Sequence, residues 1–327
     1  MKECAYCKKA TNDLTGEHVI PNGLLNLYPD QDITFSQDKK YKDNEGLTIN
    51  DVCASCNNDL LGDLDGYGVS LIKENFMHDF KSDEKYVLSY NYNKLSRWLM
   101  KIAYNTDRVS KIDNAVIKNT TRYILHADDN EKPLFSIFGG LYVDMTAFGV
   151  QNEGLYYLPL QVIRQPYLQP KGLLIEYLND TSTKEFNSFE LKNAYTWYVF
   201  RFASAIFILI LWNYNAMTDE IQDDKNKFID YFPYHEFLEN SSQITLERVT
   251  DNFMCKNIAV IDGKEGIAAT DKYIEKVLGN RSIYEVRNEM DKFFTPERIK
   301  KGRLLNELIM FPDNKKLNKE YKRLFFD

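Results

Sequence analysis

The sequence predicts an α+β protein: a small cysteine-clipped module at residues 1–68, then a larger mixed region at residues 69–327. Three observations carry this expectation. Two Cys-x-x-Cys pairs, Cys4/Cys7 and Cys53/Cys56, close the first stretch on itself. Residues 90–111 space their apolar side chains at the period of a helix. Between residues 113 and 190, short aromatic and β-branched runs alternate with polar turns, the pattern of strands.

Composition narrows the class. The 327 residues are 44% hydrophobic and 14% aromatic, which is enough apolar surface to exclude a disordered chain. With 15 Gly and 9 Pro the chain is not collagen-like. The net charge of -7 leaves nucleic acid open as a partner, because a local basic face suffices to bind phosphates. No apolar leader follows Met1, so a cytoplasmic protein with reduced thiols is expected. The longest apolar run, residues 202–212, is too short to cross a bilayer as a helix, so no membrane is expected as a partner.

In a reducing compartment the four paired cysteines read as metal ligands. Cys4, Cys7, Cys53 and Cys56 offer the tetrahedral thiolate set that suits Zn2+. The alternative is four free or redox-active thiols; a redox site would need only one pair, in a βαβ setting that the sequence does not show. Cys255 stands alone and is expected to be an inert buried thiol.

Between the pairs lie Leu14-Thr-Gly-Glu-His-Val-Ile-Pro21 and Leu47-Thr-Ile-Asn-Asp-Val-Cys53, followed by Ala-Ser-Cys56-Asn57-Asn58. An imidazole titrates near neutral pH, so His18 is a candidate general base. Glu17 and Asn57 carry hard oxygen atoms that could hold Mg2+ while leaving it most of its waters. Glu17 and His18 are adjacent, so in a strand they point to opposite faces. A shared site requires the strand to end or twist there, for which Pro21 and Gly23 give the opportunity. The bland alternative for His18 is a surface histidine beside a zinc knuckle that only binds.

In this order the features resemble the HNH endonucleases, the ββα-metal group with an added four-cysteine zinc site. The resemblance covers residues 1–68. It implies a ββα module with a structural Zn2+, and Mg2+ or Mn2+ held by Glu17 and Asn57. It also implies that His18 activates water to hydrolyse a DNA phosphodiester bond. A residue of the second strand would orient the base. Asn50 is the chemical candidate, and Thr48 sits nearer the usual offset. Glu17 stands where Asp is common in the family. The implied partner is double-stranded DNA, with a regulatory protein or a second copy of the chain as a further possibility, and the family's habits point to defence against foreign DNA. Two alternatives stay open: a zinc-stabilised binding module without cleavage, and RNA cleavage by the same site.

After Asn57 an acidic segment is expected to form a short helix that Gly66 and Gly68 terminate, with Asp59, Asp63 and Asp65 as its solvated face or as a source of a further metal ligand, and the best chain break lies near residues 66–82. Residues 1–68 hold six Lys, no Arg and twelve Asp or Glu, so phosphate-binding charge must come from elsewhere. The helix at residues 90–111 offers one source. Leu95, Trp98, Leu99 and Ile102 form its apolar face. Lys94, Arg97, Lys101 and Arg108, with Asn105, share another, which is either a nucleic-acid-binding face or an ordinary solvated one. Residues 195–212 read as one buried strand, a strand pair or a core helix. Residues 270–327 read as helical, with Thr295 capping Pro296. The stretch 292–323, with ten basic and four acidic residues, is a second candidate phosphate face. His78, His126 and His235 lack partner motifs and are expected to be structural or superficial.

Overall fold

The computed structural model describes residues 1–28, 34–35, 40–41, 46–78, 80, 84–141, 160–164, 191–232 and 235–249, and a few positions between 315 and 323. Cys255, the strand expectations within 142–159 and 165–190, and the basic stretch 292–323 apart from those few positions lie outside the described residues.

The α+β expectation holds: antiparallel strand pairs and helices make up the fold. β1 (Lys2–Glu3) pairs with β2 (Ala10–Thr11) around the first cysteine pair. β3 (Leu14–His18) leads into the short α1 (Asn22–Leu25). A small pair, β4 (Thr34–Phe35) and β5 (Lys40–Tyr41), lies in the connection to β6 (Thr48–Cys53). β6 returns antiparallel to β3 and runs into a π-helical stretch, Ser55–Leu61, continuous with α2 (Gly62–Asn75).

The second half is built around a five-stranded antiparallel sheet. Before it come β7 (Tyr86–Ser89), α3 (Tyr92–Val109), α4 (Ala115–Lys118) and α5 (Thr121–His126). The sheet strands are β8 (Phe135–Leu141), β9 (Leu160–Arg164), β10 (Ala194–Phe202) and β11 (Ala205–Trp212). After α6 (Thr218–Tyr231), β12 (Glu236–Leu238) completes the order β12-β8-β11-β10-β9. β13 (Gln243–Leu246) pairs instead with β7.

Of the three readings of residues 195–212, the strand pair is the one observed, with Ala203 at φ 55° in the turn. β11 is buried at every position because both faces of the sheet are covered. Ile206, Ile208, Ile210 and Trp212 pack in one cluster with Phe228 and Phe232 of the α6 side. Phe207, Leu209 and Leu211 alternate into the larger cluster that contains α3. An unbroken apolar run is what such a doubly covered strand needs.

α3 is the central helix. The Asn91 side chain caps it by accepting from the Lys94 amide at 2.9 Å, and eleven of its eighteen residues are buried. Trp98 lies 5.4 Å from Phe202, ring to ring, and so ties α3 to the sheet. On the other side Trp98 lies against Gly68, where a Cβ would fall 2.0 Å from the indole. Gly66 and Gly68 therefore do not end a helix. Both lie inside α2, and Gly68 is there to let the indole approach. The boundary expected after residue 68 falls within that same continuous helix. One hydrophobic cluster reaches from Cys4 to Leu246 across it. Among the described residues no helix is long and apolar enough to cross a membrane.

Candidate functional site

The two cysteine pairs converge. The sulfurs of Cys4, Cys7, Cys53 and Cys56 all lie within 4.8 Å of one another, a set that can hold a metal ion such as Zn2+. Local backbone geometry builds each half. The first turn closes through Lys8 N–H to Cys4 O at 3.0 Å, with Lys8 in the left-handed region at φ 62°. β6 holds that turn in place, since Ala5 N–H donates to Asp51 O at 2.9 Å. The Cys53 amide also points at Cys4 Sγ, 3.4 Å away. Burial pushes the Cys4 thiol up, but backbone amides of Cys53, Cys7 and Tyr6 outweigh it and bring it to about 7. Burial and the neighbouring Cys53 and Cys7 thiols push Cys56 well up. Four sulfurs this close cannot all ionise without a cation between them, which is the chemical case for a metal.

Beside this cluster, β3 and β6 form a two-stranded ribbon. Gly16 faces Asn50, Glu17 faces Ile49 and His18 faces Thr48, after a register shift between Thr15 and Gly16. Cross-strand partners share a face. Gly16, His18, Thr48 and Asn50 therefore lie on one side of the ribbon, where Thr48 and Asn50 are exposed and His18 is half-buried. Asn50 Oδ1 sits over Gly16, only 2.9 Å from where a Cβ at that position would stand.

Asn57 joins this ribbon from the helix. Its amide donates to Thr15 Oγ1 at 2.9 Å and to Gly16 O at 3.0 Å. The π-helical turn carries it, with Gly62 N–H reaching back to Asn57 O. Such wider turns are frequent at functional sites.

Glu17 does not join them. Strand alternation turns it to the opposite face, and it is 2% exposed against α3. There its Oε1 is 2.5 Å from Lys101 Nζ and accepts from Asn105 Nδ2 at 3.0 Å. The expectation that Glu17 holds Mg2+ together with Asn57 is thereby corrected, because its carboxylate is taken by a buried cation. Burial raises the Glu17 pKa, and Lys101 offsets that only in part.

The expected phosphate face of α3 is corrected as well. Lys101 is fully buried, and its three N–H bonds meet Glu17 Oε1 and both oxygens of Asp65, at 2.8 and 2.7 Å. Despite burial, these two carboxylates hold its pKa above the ordinary lysine value. Arg97 donates to Ile124 O and Leu125 O, each at 2.8 Å, and so caps α5. Arg108 pairs with Asp51, donates to Asn105 Oδ1 at 2.7 Å and stacks over Tyr104 and Tyr6. Lys94 keeps partial exposure, and it pairs with Asp63 at 2.9 Å.

Sequence reasoning missed the partners of these cations: Asp51, Asp63 and Asp65 in the module, and Asn105 as a structural residue. Asn105 is wholly buried and uses every hydrogen-bonding position it has. It accepts from Tyr6 Oη and Arg108, and donates to Glu17 Oε1 and, at 3.1 Å, to His18 O. One signal was available: an acidic module facing a helix with a cationic stripe. His235 is buried among Phe228 and Phe232, and loss of solvent pulls its pKa down to about 3. His78 and His126 are exposed.

No family model, curated protein or solved structure matches this chain.

Proposed function

We propose that the chain is an HNH-type endonuclease that hydrolyses phosphodiester bonds of DNA, with His18 as general base and a structural Zn2+ on Cys4, Cys7, Cys53 and Cys56. One observation carries the reading. The β3–β6 ribbon presents His18, Thr48 and Asn50 on a single accessible face, and the helix that follows the second cysteine pair bonds Asn57 back to Gly16, two residues from His18.

On that face the half-buried imidazole can take the proton of an attacking water. Asn50 and Thr48 stand across the ribbon as candidates to orient the imidazole. Both amide hydrogens of Asn57 are used on β3, so its Oδ1 is the atom to meet a cation or a substrate. A full Mg2+ or Mn2+ site does not follow from these residues, because Glu17 faces the other way.

The test is cleavage of supercoiled plasmid with Mg2+ or Mn2+ by wild type and His18→Ala, with linear RNA in parallel. Nicking by wild type and none by the variant, at equal zinc content, supports the reading. Equal cleavage by both removes His18 from it.

A second reading is a zinc-stabilised module that binds without cutting, and the inward turn of Glu17 favours it. It expects nucleic-acid or protein affinity that survives His18→Ala and needs no added divalent ion.

A further inference from the structure

We infer that Glu17 is a positioning residue: through Lys101 and Asn105 it fastens β3 to α3 and so determines where His18 stands. The inference rests on the reading of His18 as the base.

The geometry is specific. Asn105 Nδ2 holds two atoms of consecutive residues, Glu17 Oε1 at 3.0 Å and His18 O at 3.1 Å. The same amide therefore grips the side chain of Glu17 and the main chain of His18. Lys101 meets the same Glu17 oxygen at 2.5 Å and is itself fixed by Asp65 of α2. Tyr6, which sits between the first two cysteines, donates to Asn105 Oδ1 at 2.7 Å. The clamp thus ties the cysteine cluster, the His18 strand, α2 and α3 into one polar network.

All of its central members are shut off from water: Lys101 and Asn105 are 0% exposed and Glu17 is 2%. A buried network of this kind is rigid only when complete. A carboxylate that shared a metal with a substrate phosphate would have to face the open side of the ribbon, and Glu17 faces α3. The Glu17 carboxylate reaches from the strand to both the amine of Lys101 and the amide of Asn105 on the helix.

The experiment uses the full chain and the variants Glu17→Gln, Lys101→Met and the double Glu17→Met/Lys101→Met, with three readouts. These are the melting temperature, the His18 imidazole NMR signals, and the plasmid nicking rate as a function of Mg2+ concentration. Glu17→Gln is expected to displace the His18 signals and to lower the rate at saturating Mg2+ by about tenfold, because a small misplacement of a reacting group is costly. The half-saturating Mg2+ concentration should change by less than about twofold, whereas loss of a metal ligand or its support shifts metal affinity by about tenfold or more. Lys101→Met should lower the melting temperature by about 10 °C, since it strands the buried carboxylate of Glu17 and leaves the half-buried one of Asp65 unpaired. The double variant should regain much of that temperature through apolar packing and keep the depressed rate.

Rate recovery together with melting temperature in the double variant would reduce the clamp to a stability device and overturn the inference. So would a tenfold rise in half-saturating Mg2+ for Glu17→Gln with an unchanged melting temperature, on the same metal-affinity criterion. If the wild type cuts nothing, the nuclease reading fails by itself. The His18 signals still decide the clamp: displaced signals in Glu17→Gln keep it, and unmoved signals overturn it.

Discussion

Lys101 meets Glu17 at 2.5 Å with neither side chain open to solvent. The contact joins the acidic module of residues 1–68 to the cationic stripe of α3, and Lys101 meets Asp65 of the same module as well. Lys94 pairs with Asp63 and Arg108 with Asp51 along the same helix. The stripe that looked suited to a phosphate backbone is instead satisfied within the chain. Removing one member of such a buried pair costs about 3–5 kcal/mol, far more than an exposed pair contributes.

Acidification tests the charge state of the clamp. Burial holds the Glu17 carboxyl above its ordinary value. Between that ordinary value and the raised one, the folded state binds more protons than the unfolded chain. The stability this group contributes therefore grows as pH falls through the window and is lost as pH rises. Urea unfolding of wild type and Glu17→Gln at about pH 7 and about pH 5 should show the difference moving in favour of wild type at the lower pH. A shift in the other direction would mean a carboxyl held below its ordinary value.

Metal removal should act on the fold around the cysteines. The protein is expected to carry one zinc per chain by atomic emission. Chelation, or Cys56→Ser, should lower the melting temperature by about 10 °C or more and open the cluster's thiols, four after chelation and three in the variant, to a thiol reagent. Thiols equally reactive before and after chelation would contradict a closed tetrathiolate site.

Gly68→Ala separates packing from propensity. Helix propensity alone predicts a gain of about 1 kcal/mol for alanine inside α2. The Trp98 indole stands 2.0 Å from the new Cβ, so overpacking, at about 1–3 kcal/mol, should outweigh that gain and give a net loss of up to about 2 kcal/mol in urea unfolding. Adding Trp98→Leu should shrink that particular penalty.

Arg97→Gln should leave nucleic-acid binding untouched. Its guanidinium is spent on the carbonyls of Ile124 and Leu125, so the slope of log affinity against log salt should not change. Stability should fall by about 1–3 kcal/mol, because buried carbonyls lose their donors. A reduced salt slope with unchanged stability would return Arg97 to the surface.

Several features of this protein were legible in the sequence because they depend on local chemistry. Cys-x-x-Cys spacing makes each sulfur pair converge, and antiparallel return of the second strand brings the pairs together. The two-residue period of a strand puts Glu17 and His18 on opposite faces, whereas the resemblance implied one shared site for them. The unbroken apolar run of residues 205–212 announced a buried segment, and only its partners decided for a strand covered on both sides over a helix. What the tertiary structure alone decided is which neighbours cover each face. Helical period groups Lys94, Arg97, Lys101 and Arg108 on one stripe, yet it cannot say whether water, phosphate or protein lies above them. It groups Gly66 and Gly68 without showing that Trp98 needs one of them. Charged and small residues take their role from what packs against them, and that contact comes from segments distant in the chain, so only the folded molecule assigns it.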